Sequence, residues 1–194
     1  SAMPIILPFL LDKGRGPFAK QGDKGAELAA NVRALYPYNA GGFGLFALES
    51  ANIKSWKDIK GKTIFNGPPR GAALVNARQA IVLATGYKEG EDYKGVQANW
   101  GQLANILVDG SVDGVVIPLT FPSGRVTVMQ SAGDVRIIST PKDIFESDAY
   151  QKVFNAPGNI PLQVKWEDMG YSEGVSMVSE DGVFRGLGTA FVEL

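Results

Sequence analysis

The 194-residue chain is long enough for one large domain or two small lobes around a sizeable core, and 45% hydrophobic with 20% charged residues excludes a disordered tail. Its net charge of −1, with basic residues spread along the sequence, excludes the footprint of a nucleic-acid binder, and no apolar run reaches the length of a bilayer span. Histidine and cysteine are both absent, which removes imidazole bases, thiolate nucleophiles, disulfides and the usual zinc sites, while 24 glycines and 11 prolines imply many turns and close backbone approaches.

In chain order, Ile5-Ile6-Leu7 reads as a short buried strand ending at Pro8, followed by loop composition at Lys13 to Pro17. Val32 to Tyr36 and Phe43 to Leu48 are the next strand candidates, and the turn-rich Pro37 to Gly42 between them predicts a hairpin or a crossing. From Ser55 the pattern changes. Ser55-Trp56-Lys57-Asp58 has the form of a capping box and opens one helical turn. Thr63-Ile64-Phe65 is then a strand, and Leu74, Ala77, Ile81 and Ala84 recur at helical spacing. Asn99 and Gln102 form a second capping box before a helix with Leu103, Ile106 and Leu107 on its apolar face. Val115 to Ile117 is a buried strand, a third helix passes through Val126 and Met129, and Val135 to Ile138 is another strand. This alternation predicts an α/β lobe over about residues 51–140 with a mainly parallel sheet, whose ligand-accepting loops follow the carboxyl ends of its strands. The flanks, 1–50 and 141–194, read as strand and loop without a complete alternation.

Asn66-Gly67-Pro68-Pro69-Arg70-Gly71-Ala72, between a strand and a helix, is the main candidate site. Free amides and the dipole at a helix start favour an anion, glycine lets a ligand approach the backbone, and Arg70 offers a planar fork to a carboxylate. The plain alternative is that the loop only makes the turn while Arg70 is solvated. It is not a phosphate-binding Walker loop, because no Gly-Lys-Ser/Thr follows. Asp109 to Gly114 imitates a calcium loop, but Thr120 stands where a glutamate is required. Gly42 to Ala47 imitates a dinucleotide fingerprint without the helix that should follow it. Tyr36, Tyr38, Trp100 and Phe121 each suit a pocket wall, with core packing the default reading for each. Tyr38, in a Pro/Gly loop, departs most from that default.

The chain resembles the substrate-binding receptors of TRAP transporters of the TAXI family over about residues 30–138, and more weakly to Val183. The resemblance is carried by Ile53-Lys54-Ser55-Trp56-Lys57-Asp58-Ile59-Lys60-Gly61-Lys62, by the Gly/Pro loop with its helix, and by Leu103 to Gly114, in that order and spacing. It implies an α/β fold of the type II periplasmic-binding-protein kind, with one complete lobe at 51–140, a partial first lobe at 1–50 and a return segment at 141–194. Such receptors are non-enzymatic and periplasmic. They close on a small organic anion such as glutamate, glutamine or a 2-oxo acid and hand it to membrane-embedded TRAP subunits, with no cofactor, metal or nucleic acid. Carried over by position, the site would draw Tyr36 and Tyr38 from the first lobe. Asn66, Gly67, Pro69, Arg70, Gly71 and Ala72 would come from the second lobe, and Thr120 and Phe121 from the loop beyond the next strand. The chain departs from the family in lacking the serine and threonine hydroxyls of that Gly/Pro loop. It also lacks the family's further N- and C-terminal stretches, so the resemblance implies a fragment with apolar surface suited to self-association. Two other readings stand beside it: an enzyme using Lys62, Glu49 or Asp113 as acid or base on an anionic substrate, and a truncated chain that binds nothing.

Overall fold

The computed structural model describes residues 2–33 and 35–193. In chain order the elements are β1 (Ala2–Pro4), α1 (Leu7–Asp12), α2 (Asp23–Ala30), β2 (Tyr36–Leu48), β3 (Thr63–Phe65), α3 (Ala72–Thr85), β4 (Lys94–Val96), α4 (Leu103–Val108) and β5 (Gly114–Leu119). They continue with α5 (Gly124–Gln130), β6 (Val135–Ile138), α6 (Lys142–Phe145), α7 (Asp148–Phe154), β7 (Asn159–Lys165), β8 (Val175–Val178) and β9 (Val183–Glu193). The class is α/β, as expected. No helix of the described residues is long and apolar enough to cross a membrane.

All strands join one nine-stranded sheet with the main order β1-β9-β2-β5-β3-β4. The sheet is mixed rather than mainly parallel. The pairs β3/β4, β3/β5 and β6/β8 are parallel, whereas β2 pairs antiparallel with β5, β6 and β9. The parallel strands follow from the strand-loop-helix alternation. The antiparallel pairs arise because β2 and β9, both outside that alternation, lie side by side in the middle of the sheet.

The expected break between residues 36 and 43 does not occur, and β2 runs through it as a single strand. Its first half pairs only with β9, so Pro37 needs no donor toward a second neighbour. The turn composition of residues 37–42 becomes a β-bulge: Asn39 faces Ala190, but Gly42 faces Gly188, so β2 carries one extra residue. Gly41 takes φ +101° there, and a Cβ on it would sit 2.5 Å from the Leu119 carbonyl carbon. At the N-terminus the strand is Ala2–Pro4 rather than residues 5–7. Ile6 caps α1, whose first turn holds Pro8, where a missing N–H costs nothing. Residues 32 and 33 are not in a strand, and residue 34 lies outside the described residues.

Both capping boxes form. Ser55 and Asp58 close the turn Trp56–Ile59, with the Ser55 N–H donating to Asp58 Oδ2 at 2.8 Å, and Asn99 with Gln102 closes Trp100–Gln102. The core has two parts. Trp56, Ile59, Ile64, Ala77 and Ile81 pack with Tyr150 and Phe145 in one, and Phe46, Phe65, Ile117, Val126 and Phe184 pack in the other. Asp113 accepts from the Thr63 N–H at 2.8 Å, so the calcium-like segment serves as a turn that ties β5 to the start of β3.

The β2–β9 seam is tight. A Cβ on Gly186 would lie 2.5 Å from the Phe43 carbonyl oxygen, and a backbone atom cannot swing away as a side chain can. Gly186→Ala is expected to destabilise the protein by about 2 kcal/mol through overpacking. Gly101→Ala, where a new methyl meets nothing within 4 Å, is expected to change stability by about 0.5 kcal/mol or less. Urea denaturation of the two variants separates these outcomes.

Candidate functional site

A cavity of about 340 Å³ opens where the loops after β3, β4 and β5 meet the β2–β9 ribbon. That volume is at the small end of small-molecule sites, which run to about 1,000 Å³. The position is the one where open α/β sheets accept ligands, outside the carboxyl ends of strands. From after β3 come Ala72 and Ala73 at the start of α3, with Asn76 one turn on. From after β4 comes Trp100, from β5 comes Pro118, and from the first turn of α5 comes Arg125. The ribbon supplies Tyr38, Ala40 and Phe43 from β2 and Thr189 and Phe191 from β9.

The bulge in β2 makes this ribbon wall. Tyr38 and Phe43 are an odd number of positions apart and would point to opposite faces of a regular strand. The extra residue restores the parity, and both line the cavity. Tyr38 packs against Phe191 with ring centroids 6.0 Å apart, extending the aromatic surface across the two strands.

Trp100 is held from two sides. Its ring meets Phe65 edge-on at 5.9 Å, and it rests over Gly67, where a Cβ would come within 3.4 Å of the indole. Above the indole lies the guanidinium of Arg125, 4.2 Å from the ring centroid, a cation–π geometry. Arg125 Nη1 donates to the Pro118 carbonyl oxygen at 2.9 Å, and Ser123 caps the helix that carries it. Burial lowers the Arg125 pKa from its ordinary value, and no carboxylate of the described residues pairs with it. A half-buried arginine in this state stays protonated and keeps donors for a ligand. Among the described residues it is the only cation whose side chain lines this cavity.

A second cavity, of about 230 Å³, is lined by Arg185 and behaves differently. Arg185 is buried, but its Nη1 and Nη2 meet Asp181 at 3.0 and 2.5 Å. Its charge is already neutralised, and Asp181 in turn is held well below the usual carboxylate range by those hydrogen bonds.

The loop after β3 is held by a polar network. The Glu89 carboxylate accepts from Arg78 Nε and Nη2, both at 2.8 Å, from Asn66 Nδ2 at 2.7 Å and from Gln97 Nε2 at 3.2 Å. Asn66 Oδ1 accepts from Gln97 at 2.8 Å. Gly95 makes room for this carboxylate, since a Cβ there would fall 2.2 Å from the Glu89 carboxyl carbon.

Of the residues named from sequence, Tyr38, Ala72 and Trp100 line the cavity. Asn66 is fully buried and its amide is spent on Glu89 and Gln97, so it positions the loop. Gly67 is buried under Trp100, and Gly71 holds φ +95° to start α3. Pro69 and Arg70 are exposed, Arg70 at φ +94°, and neither lines the cavity. Tyr36 and Thr120 are also exposed outside it, and Phe121 packs on Phe184 at 5.0 Å and on Tyr171 at 6.1 Å. Arg125 and the β9 residues were not among the sequence candidates. Arg125 carried one readable signal, its place just after Ser123-Gly124 at a helix start beyond a buried strand. Thr189 and Phe191 carried none, because their approach depends on long-range pairing.

The NMT1-like family profile matches residues 12–161. Among solved structures, the chain is similar to the periplasmic aliphatic sulphonate binding protein SsuA from Escherichia coli at 17% identity and TM-score 0.41, over 54% of this chain and 32% of that one. It is similar to a putative periplasmic sulfonate-binding protein SsuA from Methylobacillus flagellatus KT at 24% identity and TM-score 0.37, over 59% and 36%. It is also similar to a TRAP periplasmic solute binding protein from Sulfitobacter sp. NAS-14.1 with bound β-D-galacturonate, at 17% identity and TM-score 0.39, over 67% and 37%. The chain thus spans between about a third and two fifths of those proteins' lengths.

Hydrogen bonds from Arg78, and then from Asn66 and Gln97, hold the Glu89 carboxyl below its ordinary value of 4.5, so its contribution to stability is complete above that value and is lost as pH falls through the depressed folded-state value. Glu89→Gln is expected to cost about 2 kcal/mol at pH 7, and the gap to the parent protein should narrow below pH 4.5. Denaturation at a series of pH values measures that gap.

Proposed function

The chain belongs to the NMT1-like family, and on that premise we propose that it is a solute-binding receptor that takes a small organic anion into the cavity between the β2–β9 ribbon and the loops after β3, β4 and β5. The observation that carries this reading is Arg125: a half-buried guanidinium, fixed on Trp100 and on the Pro118 carbonyl, with no carboxylate of the described residues to neutralise it. A site of this kind gains free energy when an anion arrives, because the cation has already been desolvated and oriented. Tyr38 and Ala72 remain site residues in this proposal, and Arg125 takes the part that sequence reasoning offered to Arg70.

The resemblance to TAXI receptors extends the proposal to a periplasmic protein that delivers its ligand to membrane-embedded TRAP subunits, with the type II periplasmic-binding-protein arrangement shared between this lobe and a partner lobe. Binding is favoured over catalysis by where the candidate acids and bases lie. Lys62 and Asp113 pair at 3.6 Å, immediately before β3 and β5, at the strand ends opposite the cavity. Glu49 is engaged by Arg136 and by Ser176. None of the three lines the cavity.

Calorimetric titration of the protein expressed from its complete reading frame with a panel of mono- and dicarboxylates and amino acids tests the proposal. Arg125→Ala is expected to weaken binding by about tenfold or more, and Arg70→Ala to change it by about twofold or less. Equal affinities for Arg125→Ala and the parent protein would place the anion elsewhere. A secretory signal at the start of the reading frame is expected if the protein is periplasmic.

A further inference from the structure

We infer that the cavity selects organic monoanions that have an apolar body and no ammonium group; the inference rests on the receptor reading above and narrows it to a ligand class. The charge inventory of the wall sets the selection. Arg125 is its one cation, and no aspartate or glutamate lines it among the described residues. One carboxylate or sulfonate therefore finds a partner. A second anionic group would have to give up water without gaining one. An ammonium group would lie near the guanidinium with no acid of the described wall to receive it, and a face of Trp100 that would attract it already carries Arg125.

The neutral polar groups narrow the class further. Apart from Arg125, the Tyr38 hydroxyl and the Trp100 indole N–H, the polar side chains of the wall among the described residues are Asn76 and Thr189, and Asn76 Nδ2 donates to Thr189 Oγ1 at 3.1 Å. That bond uses one Asn76 N–H and one Thr189 lone pair, so the wall pairs a few ligand hydroxyls at most, and those of a polyhydroxylated ligand that face its aromatic part would go unpaired. The rest of the wall, Tyr38, Phe43, Trp100, Phe191 and Pro118 with small alanines between, suits a hydrocarbon or aromatic body. An anionic head on Arg125 and an apolar body against the Tyr38–Phe191 wall satisfy all these surfaces together.

The test is calorimetric titration of the protein from the complete reading frame with phenylacetate, hexanoate, phenylalanine, succinate and 2-phenylethylamine. Phenylacetate or hexanoate is expected to bind. Phenylalanine, which adds an ammonium-bearing carbon to the phenylacetate frame, and succinate, which has a second carboxylate in place of the apolar body, are expected to bind about tenfold or more weakly. 2-Phenylethylamine should not bind. Arg125→Ala should abolish the preference, and Arg125→Lys, which keeps the charge but not the planar stack on Trp100, should retain part of it; urea denaturation of both variants confirms that they are folded. Phenylalanine or succinate binding as tightly as phenylacetate and hexanoate overturns the inference and leaves the receptor reading standing. Failure of the folded protein to bind any of these, or any member of the wider panel, removes the receptor reading itself.

Discussion

The close contact between β2 and β9 is the constraint on which the rest of the structure depends. β2 pairs with β9 along its first half and with β5 and β6 along its second, so the strand that builds the ribbon also anchors the α/β part. The spacing is maintained by glycine rather than by complementary side chains. Gly42 stands opposite Gly188, and Cβ atoms there would fall 2.5 Å from Leu162 and 2.6 Å from Ile160, residues of the neighbouring β7. Side chains from one strand occupy the space left empty on the next. The aromatic wall of the cavity is a product of this packing, because Tyr38, Thr189 and Phe191 reach it only if the ribbon keeps its register.

Electrostatics distinguishes the arginines of this protein that serve folding from the one on which the proposed site rests. Arg78, Arg136 and Arg185 each have an acidic partner: Glu89, Glu49 and Asp181. Those pairs tie loops and strand ends together and leave little field outside them. Arg125 has an aromatic face and a carbonyl dipole instead. These orient the guanidinium without cancelling its charge, which is the condition for attracting a solute. The network around Glu89 contributes indirectly, by fixing the loop whose Gly67 lies under Trp100.

Much of the local structure was legible in the sequence. Both capping boxes, the helix through Leu74 to Ala84 and the buried run Val115 to Ile117 follow from side-chain periodicity and hydrogen-bonding chemistry that act within a few residues. What escaped was set at a distance. Pro37 to Gly42 has the composition of a turn, and only pairing with β9 converts it into a bulged strand. Asn66 has the sequence position of a ligand contact, yet Glu89 and Gln97, brought together by the β3–β4 pairing, use up its amide. Arg70 and Arg125 both sit near helix starts beyond strands. Sequence could not rank them, because exposure and the stack on Trp100 depend on where β4 and β5 end.

The bulge between Asn39 and Gly42 gives chain length a meaning at this site that residue identity does not have. In a strand, parity decides which face a side chain takes. Removing one residue from this stretch would turn the first half of β2 over, sending Tyr38 to the opposite face while Phe43 and the wall residues outside β2 keep their identity and place. Substitutions along the ribbon can be graded by size and polarity, but a single-residue deletion here acts as a switch. The aromatic wall is thus specified by counting, and homologues that keep it should vary more freely in the identity of residues 39–41 than in their number.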